Sequence, residues 1–140
     1  MLRRNLRSSS DTRPTTVQAR CICTRAAANA PRRGQDRGLI FREYGFLLRE
    51  SGEANATDLS IEKFEVALKE APNDPITIYG LASMLDRKGY SDKVIELIEP
   101  LRTHSNPKTR ERCLPLLPKA YERKSELLKA AELRELIAKP

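Results

Sequence analysis

The chain has few of the side chains that build a metal or redox centre. It contains one histidine, His104, and three cysteines, Cys21, Cys23 and Cys113. Because Cys21 and Cys23 form a single C-x-C pair and no second pair follows, one chain cannot supply the four ligands of a structural zinc site. We therefore expect no metal and no cofactor. The scarcity of cysteine is also typical of a reducing compartment.

Phosphate-binding loops and long apolar runs are absent as well. No segment matches the glycine-rich pattern G-x-x-x-x-G-K-[ST], and no nucleophile has a base close to it in the sequence. The acidic residues alternate with lysine or arginine, as they do on solvent-exposed helix faces. No apolar run approaches the roughly 18 residues of a transmembrane helix. We therefore predict that the protein is not an enzyme and has no membrane span.

The net charge is concentrated in a leader, residues 1–37. The leader contains nine arginines, no lysine and two acidic residues, whereas the remaining 103 residues hold equal numbers of basic and acidic side chains. Alanine is the most frequent of its apolar residues, it has no aromatic residue, and Pro14 and Pro31 interrupt it. Such a segment cannot bury enough apolar surface to offset the entropy of ordering. We therefore predict that the leader is disordered.

The function of the leader has three interpretations. Its start, MLRRNLRSSS, resembles an organellar transit peptide, and Leu2 and Leu6 would share one face of a short amphipathic helix. An arginine-rich arm would also bind RNA, DNA or anionic lipid, since such charges attract polyanions without a fold. The third interpretation is a solvated tail, or an initiation site assigned too far upstream. We expect a cytoplasmic protein, or one of an organelle matrix if residues 1–37 are a transit peptide.

Helical periodicity begins near Gly38 and continues to the end of the chain. Apolar residues recur at steps of three and four in six segments, which is the period of an amphipathic α-helix. No stretch shows the alternation of a β-strand. Asp74-Pro75 and Asn106-Pro107 each place a capping side chain before a proline, which is typical of a helix start. The sequence predicts an all-α domain over residues 38–140, with six helices in three antiparallel hairpins.

The spacing of these hairpins resembles the tetratricopeptide repeat (TPR) family. The second unit, residues 75–108, has the 34-residue period of that family. Within it, Leu81-Ala82 resembles the leucine and small-residue pair, Gly89 the turn glycine and Tyr90 the following aromatic residue. The resemblance implies a short solenoid of stacked hairpins. The matching positions elsewhere are Tyr44, Gly45, Phe64, Ala67 and Pro72 in the first unit and Ala120, Tyr121 and Ala130 in the third.

Three prolines depart from the repeat pattern. Pro100 falls within the second helix of the second unit, and Pro115 and Pro118 fall within the first helix of the third unit. Each proline lacks a backbone donor, and its ring clashes with the preceding turn of a helix. We therefore expect a kinked fourth helix and a distorted third hairpin.

The resemblance implies a function in protein binding. In TPR-like solenoids, the first helix of each hairpin lines a concave groove that binds an extended peptide or a partner helix. We therefore predict an interaction adaptor or scaffold with a protein or peptide partner. An acidic peptide or a C-terminal carboxylate would suit the basic residues of the groove, because arginine pairs bidentately with carboxylates. The groove positions carried over to this chain are Arg42, Phe46, Arg49, Tyr79, Ser83, Arg87, Arg112, Lys119 and Arg123.

Alternatives to this groove remain open. Exposed charges on a helix are most often a solvated face, and Phe46 and Tyr79 would then pack between hairpins. TPR domains that clamp chaperone C-termini place asparagine where this chain has Phe46 and Gly80, which argues against that clamp. A different function is nucleic-acid association through the leader, which would weaken steeply with added salt. Three hairpins are close to the minimum for an independent solenoid, so we also expect self-association or a partner.

Overall fold

The structure is a computed structural model that describes residues 18, 21, 24–26, 28, 29 and 34–139. From Gln35 onward these residues form seven α-helices and no β-strand, which confirms the all-α prediction for this part of the chain. The helices are α1 (Gln35–Ser51), α2 (Ala56–Glu70), α3 (Pro75–Lys88), α4 (Ser91–Ile98), α5 (Pro107–Cys113), α6 (Leu116–Arg123) and α7 (Leu127–Ala138), and a 3-10 helix (Glu99–Thr103) follows α4.

The first helix begins earlier than predicted. Helix α1 starts at Gln35, so the last three residues of the predicted leader belong to it. Glu70, at the end of α2, holds this start in place, because it accepts a hydrogen bond from the Gly34 N–H at 2.9 Å and pairs with Arg37 at 3.5 Å. The predicted domain boundary at residue 37 stays a prediction, although the helix itself begins before it. The polar residues of the extra turn carry no apolar period from which a helix start could be predicted.

Most of the leader lies outside the described residues. Residues 18, 21, 24–26 and 28 have helical backbone and exposed side chains. The transit-peptide positions Leu2 and Leu6, the prolines Pro14 and Pro31, and Cys23 are not among the described residues. The disorder of the leader and its three interpretations stay predictions.

Consecutive helices pack against each other in pairs. Helix α1 packs on α2, α3 on α4, and α6 on α7, while α2 also packs on α3 and α4 on α6. The first helices of neighbouring pairs touch as well, α1 with α3 and α3 with both α5 and α6. Arg42 of α1 pairs with Asp74 at the start of α3, and Arg49 farther along α1 lies over Tyr79 farther along α3. Helices α1 and α3 therefore lie side by side and run in the same direction.

Prolines divide the later helices. Helix α5 ends at Cys113 and α6 begins at Leu116, directly after Pro115, so the prediction of six helices is wrong for the described residues. Pro118 does not interrupt α6, because it lies in the first turn, where backbone N–H groups need no intrahelical partner. At Pro100 the chain changes from α4 to the 3-10 helix. The expected kink of the fourth helix is thus a change of helix type, and the expected distortion of the third hairpin is a broken helix.

Phe64 of α2 is the centre of the interface between the first three helices. Its side chain is fully buried, and its ring faces Gly45 of α1 and Gly80 of α3. A Cβ atom at Gly45 would lie 2.8 Å from the ring, and one at Gly80 would lie 2.6 Å from it. Both distances are too short for real contacts, so glycine at these positions lets α1 and α3 close around the ring. The buried hydroxyl of Ser60 donates to the Gly45 carbonyl at 2.8 Å.

The core continues from α3 through the later helices. Met84, Ile98 and Leu117 are fully buried members of this cluster. Tyr121 of α6 lies at its edge, where its hydroxyl donates to the Glu99 carboxylate at 2.6 Å. Burial, reinforced by this hydrogen bond, raises the pKa of Tyr121 to about 12. The bond links α6 to the 3-10 helix that replaces the end of α4.

Asp74 caps α3 and also connects it to α1. Its carboxylate accepts hydrogen bonds from the Ile76 N–H at 3.3 Å and the Thr77 hydroxyl at 2.5 Å, and it pairs with Arg42 at 3.1 Å. Burial alone would raise the pKa of Asp74, but the hydrogen bonds from Thr77 and Arg42 and the charge of Arg42 outweigh burial, so this pKa is lowered. Asn106 caps α5 in the same way. Both predicted caps are confirmed.

Replacing Gly80 with alanine should destabilise the protein, although alanine has the higher helix propensity. The propensity gain is about 1 kcal/mol. The added methyl group, however, would meet the Phe64 ring at 2.6 Å, and overpacking a core costs about 1–3 kcal/mol. We expect Gly80→Ala to lower the free energy of unfolding by about 1 kcal/mol, measured by urea denaturation.

A smaller residue at position 64 provides the control for this clash. In a Phe64→Leu background the ring is gone, so Gly80→Ala should cost less than it does in the original chain. The free energies of unfolding of the original chain, Gly80→Ala, Phe64→Leu and the double variant together give the coupling free energy between positions 64 and 80. An equal cost in both backgrounds would show that the alanine acts through something other than the ring.

The charge of Asp74 should make the stability depend on pH. Because its pKa is lowered in the folded state, its contribution is present above the pKa of the unfolded carboxyl, about 4, and is lost as the pH falls through the lowered value. Asp74→Asn keeps a capping oxygen but removes the charge. We expect the Tm of the original chain to exceed that of Asp74→Asn near neutral pH. This difference should shrink below about pH 4.

Thermal unfolding followed by circular dichroism over that pH range measures the effect. Arg42→Gln removes the ion-pair partner of Asp74 and leaves its capping hydrogen bond from the Ile76 N–H. It should therefore lower the Tm near neutral pH by part of the amount expected for Asp74→Asn. A Tm difference that stays constant with pH would contradict a role for the carboxylate charge.

Candidate functional site

Helices α1, α3, α5 and α6 form one surface, which we call the first-helix surface. All the predicted groove residues lie on these helices. Helix α1 holds three of them, α3 holds three, α5 holds one and α6 holds two. In that order they are Arg42, Phe46 and Arg49, then Tyr79, Ser83 and Arg87, then Arg112, and finally Lys119 and Arg123.

Side chains from three helices meet at Tyr79. The guanidinium carbon of Arg49, on α1, lies 5.8 Å from the centroid of the Tyr79 ring, and that of Arg112, on α5, lies 5.9 Å from it. Arg49 is also 5.8 Å from the centroid of the Phe46 ring. A cation at about 6 Å from a ring centroid is attracted by the negative face of the ring. We call this group the Arg49–Tyr79–Arg112 cluster.

The arginines of this surface differ in their acidic partners. Arg42 pairs with Asp74 at 3.1 Å, and Arg123 pairs with Asp86, whose backbone carbonyl also accepts from Arg123 at 3.1 Å. These two arginines connect neighbouring first helices. In contrast, neither arginine of the central cluster forms an ion pair within the described part of the chain. Arg49 and Arg112 therefore lack an ion-pair partner in this part of the chain, whereas Arg42 and Arg123 are each paired with an acidic residue.

Two predicted residues contribute to packing. Phe46 is half-buried, and its ring meets the Phe64 ring edge-on with centroids 4.9 Å apart. Ser83 is also half-buried, and its hydroxyl donates to the Gly80 carbonyl at 2.9 Å within α3. Phe46 thus lies between helices, as one of the alternatives expected. A ligand-binding role for these two residues, and for Arg42 and Arg123, stays a prediction.

The remaining predicted residues are exposed. Arg87 on α3 and Lys119 on α6 form no ion pair with the residues that the structure describes. Neither side chain has a ring contact in that part of the chain. They add positive charge to the first-helix surface but are not held in place by neighbours. The structure therefore brings together Arg49, Tyr79 and Arg112, with Phe46 beside them, and leaves Arg87 and Lys119 apart.

Phe64 positions the aromatic residues of this surface. Gly45 and Gly80, which face the Phe64 ring, directly precede Phe46 and directly follow Tyr79, respectively. Neighbouring residues on an α-helix point about 100° apart, because one turn takes 3.6 residues. A residue next to a buried glycine therefore lies at the edge of the interface. Phe46 and Tyr79 are accordingly half-buried and border the first-helix surface.

A second surface was missed by sequence reasoning. On the other side of α3, a groove of about 610 Å³ runs between α2 and α4. Each wall carries one acidic and one basic side chain, so the groove has no single charge sign. Its apolar part consists of Leu68, Pro72, Leu81, Leu85 and Leu97, and its charged residues are Glu65, Lys69, Lys93 and Glu96. Because these residues satisfy ordinary helix periodicity, the sequence offers no signal that would distinguish a groove from a filled core.

The described part of the chain contains neither a metal-binding cluster nor a membrane-spanning helix. Within residues 34–139 and the described positions before them, no group of three or more histidine, cysteine, aspartate or glutamate side chains could hold a metal ion. None of the helices described combines the length and the apolarity that a membrane-spanning helix requires. Leu127 and Leu128 on α7 are 65% and 82% exposed. The predicted self-association, which such residues would favour, stays a prediction.

Comparisons with known proteins add no further assignment. The family models, the curated proteins and the solved structures with which the chain was compared gave no match. The TPR resemblance consequently depends on the spacing and residue types of the sequence. Any function of the chain has to be argued from the geometry of the first-helix surface.

Proposed function

We propose that the protein is a helical-repeat adaptor that binds an extended acidic peptide along the first-helix surface. The observation that carries this proposal is the Arg49–Tyr79–Arg112 cluster, in which two uncompensated guanidinium groups from different helices flank one aromatic ring. A peptide that crosses α1, α3 and α5 would meet one of these side chains on each helix. The TPR resemblance of the sequence supports the same surface.

The chemistry of the cluster suits recognition. Each of the two guanidinium groups offers five N–H donors in a planar fork that matches a carboxylate. Contact with the Tyr79 ring restricts both side chains before a ligand arrives, which lowers the entropy lost on binding. An acidic side chain would therefore find donors that are already positioned.

The first helices provide a frame for such a ligand. The Arg42–Asp74 and Arg123–Asp86 pairs join α1 to α3 and α3 to α6 near the two ends of the surface. They limit the sliding of one first helix along the next. The distance between the central arginines is therefore set by contacts outside the cluster. We propose that Arg49, Tyr79 and Arg112 contact the peptide and that Arg42 and Arg123 position the helices.

Charge reversal at the cluster should weaken peptide binding. We expect Arg49→Glu and Arg112→Glu each to weaken the affinity for a fluorescein-labelled, glutamate-rich peptide by at least about tenfold, because each adds repulsion where the ligand needs a donor. Fluorescence anisotropy measures the affinity, and the glutamine-substituted peptide tests whether the ligand charge is required. Circular dichroism verifies that the variants are folded.

The matched control reverses a charge on the opposite side of α3. Lys69, on α2, borders the groove between α2 and α4 and forms no ion pair in the described residues. Lys69→Glu changes the net charge by the same amount and should leave the affinity unchanged. An equal loss in all three variants would mean that only net charge matters, and unchanged affinity at Arg49→Glu and Arg112→Glu would refute the proposed surface.

A further inference from the structure

We infer that the ligand group of the Arg49–Tyr79–Arg112 cluster is a dianion, the phosphoryl group of a phosphorylated peptide. This inference rests on the proposed function, because it names the chemistry of the ligand at the same surface. The observation behind it is the convergence of two guanidinium groups on one ring without an acidic partner in the described residues.

The balance of charge favours a dianion. A single carboxylate carries one negative charge and would leave one of the two arginines uncompensated. A phosphoryl group carries about −1.5 to −2 at pH 7 and has three strong acceptor oxygens. Its oxygens accept charge-assisted, bidentate hydrogen bonds from guanidinium groups, and its charge balances that of two arginines.

The acidic residues of α3 do not neutralise Arg49 and Arg112. Asp86 is the sole acidic residue between Pro75 and Lys88, and it pairs with Arg123. Asp74, the cap of α3, pairs with Arg42. Both carboxylates are thus engaged at the two ends of the surface, and the helix between them has no acidic side chain. Neither carboxylate of α3 is therefore left to neutralise Arg49 and Arg112.

The Tyr79 ring, which both arginines contact, is compatible with binding of a phosphoryl group. A guanidinium near an aromatic ring keeps N–H donors around its own edge, where an anion can accept them. Tyr79 attracts both cations and adds no formal charge of its own. An acidic residue at position 79 would instead neutralise the arginines and close the site. The aromatic side chain therefore contacts both guanidinium groups and leaves their charge available.

Arginine side-chain NMR can test the inference directly. The full chain, labelled with ¹⁵N, is titrated with three peptides of the same glycine-rich sequence that carry phosphoserine, glutamate or serine at the central position. We expect saturable shifts of the Arg49 and Arg112 Nε–Hε signals with the phosphoserine peptide. The affinity for the glutamate peptide should be at least about tenfold weaker, because one charge and one oxygen are lost. The serine peptide should cause no shift.

Conservative variants separate the guanidinium geometry from its charge. Arg49→Lys and Arg112→Lys keep the positive charge but lose the planar fork, so each should weaken the phosphoserine affinity by about tenfold. Arg102, exposed on the 3-10 helix, provides the control, and Arg102→Lys should leave the affinity unchanged. Thermal unfolding of each variant verifies that stability is retained.

The outcomes distinguish this inference from the function on which it rests. Equal affinities for the glutamate and phosphoserine peptides would overturn the inference and leave acidic-peptide binding in place. The absence of shifts with both peptides would overturn both proposals. Shifts of equal size at Arg102, Arg49 and Arg112 would show general ionic screening, and this result would also overturn the inference.

Discussion

The contact of the Phe64 ring with Gly45 and Gly80 determines how closely the first three helices approach each other. A side chain at either glycine would push α1 or α3 away from α2. The same contact orients the neighbouring residues Phe46 and Tyr79, which reach the edge of the interface instead of its interior. The aromatic part of the first-helix surface is therefore a consequence of core packing. A change at Phe64 would alter the surface as well as the stability.

Ion pairs divide the same surface into parts with different roles. Arg42 and Arg123 pair with Asp74 and Asp86, so their charges connect helices and are not left for a ligand. No acidic side chain of α3 remains for its centre. The bracing of the helices and the uncompensated charge of the cluster thus have one origin, the placement of two acidic residues near the two ends of α3.

The sequence predicts local structure well where a single helix determines it. Apolar periodicity and the caps at Asp74 and Asn106 depend on residues within one or two turns, and the structure has each of them. The start of α1 escaped prediction because its first turn is polar and is held by Glu70 from another helix. The ion-pair partners of the arginines could not be predicted for the same reason, because they lie on other helices. Residue types predict that a helix face is basic, but the distances between helices determine which charges are paired.

The absence of an acidic partner at Arg49 and Arg112 also affects the free energy of the folded protein. Two like charges near one ring repel each other, and the ring attraction, about 0.5–1 kcal/mol for each exposed cation, opposes this repulsion. At Arg42 and Arg123, in contrast, an acidic partner attracts the cation. An anion bound beside both arginines would remove their repulsion, and this relief would add to the binding free energy. Binding to the folded state alone then stabilises that state through mass action.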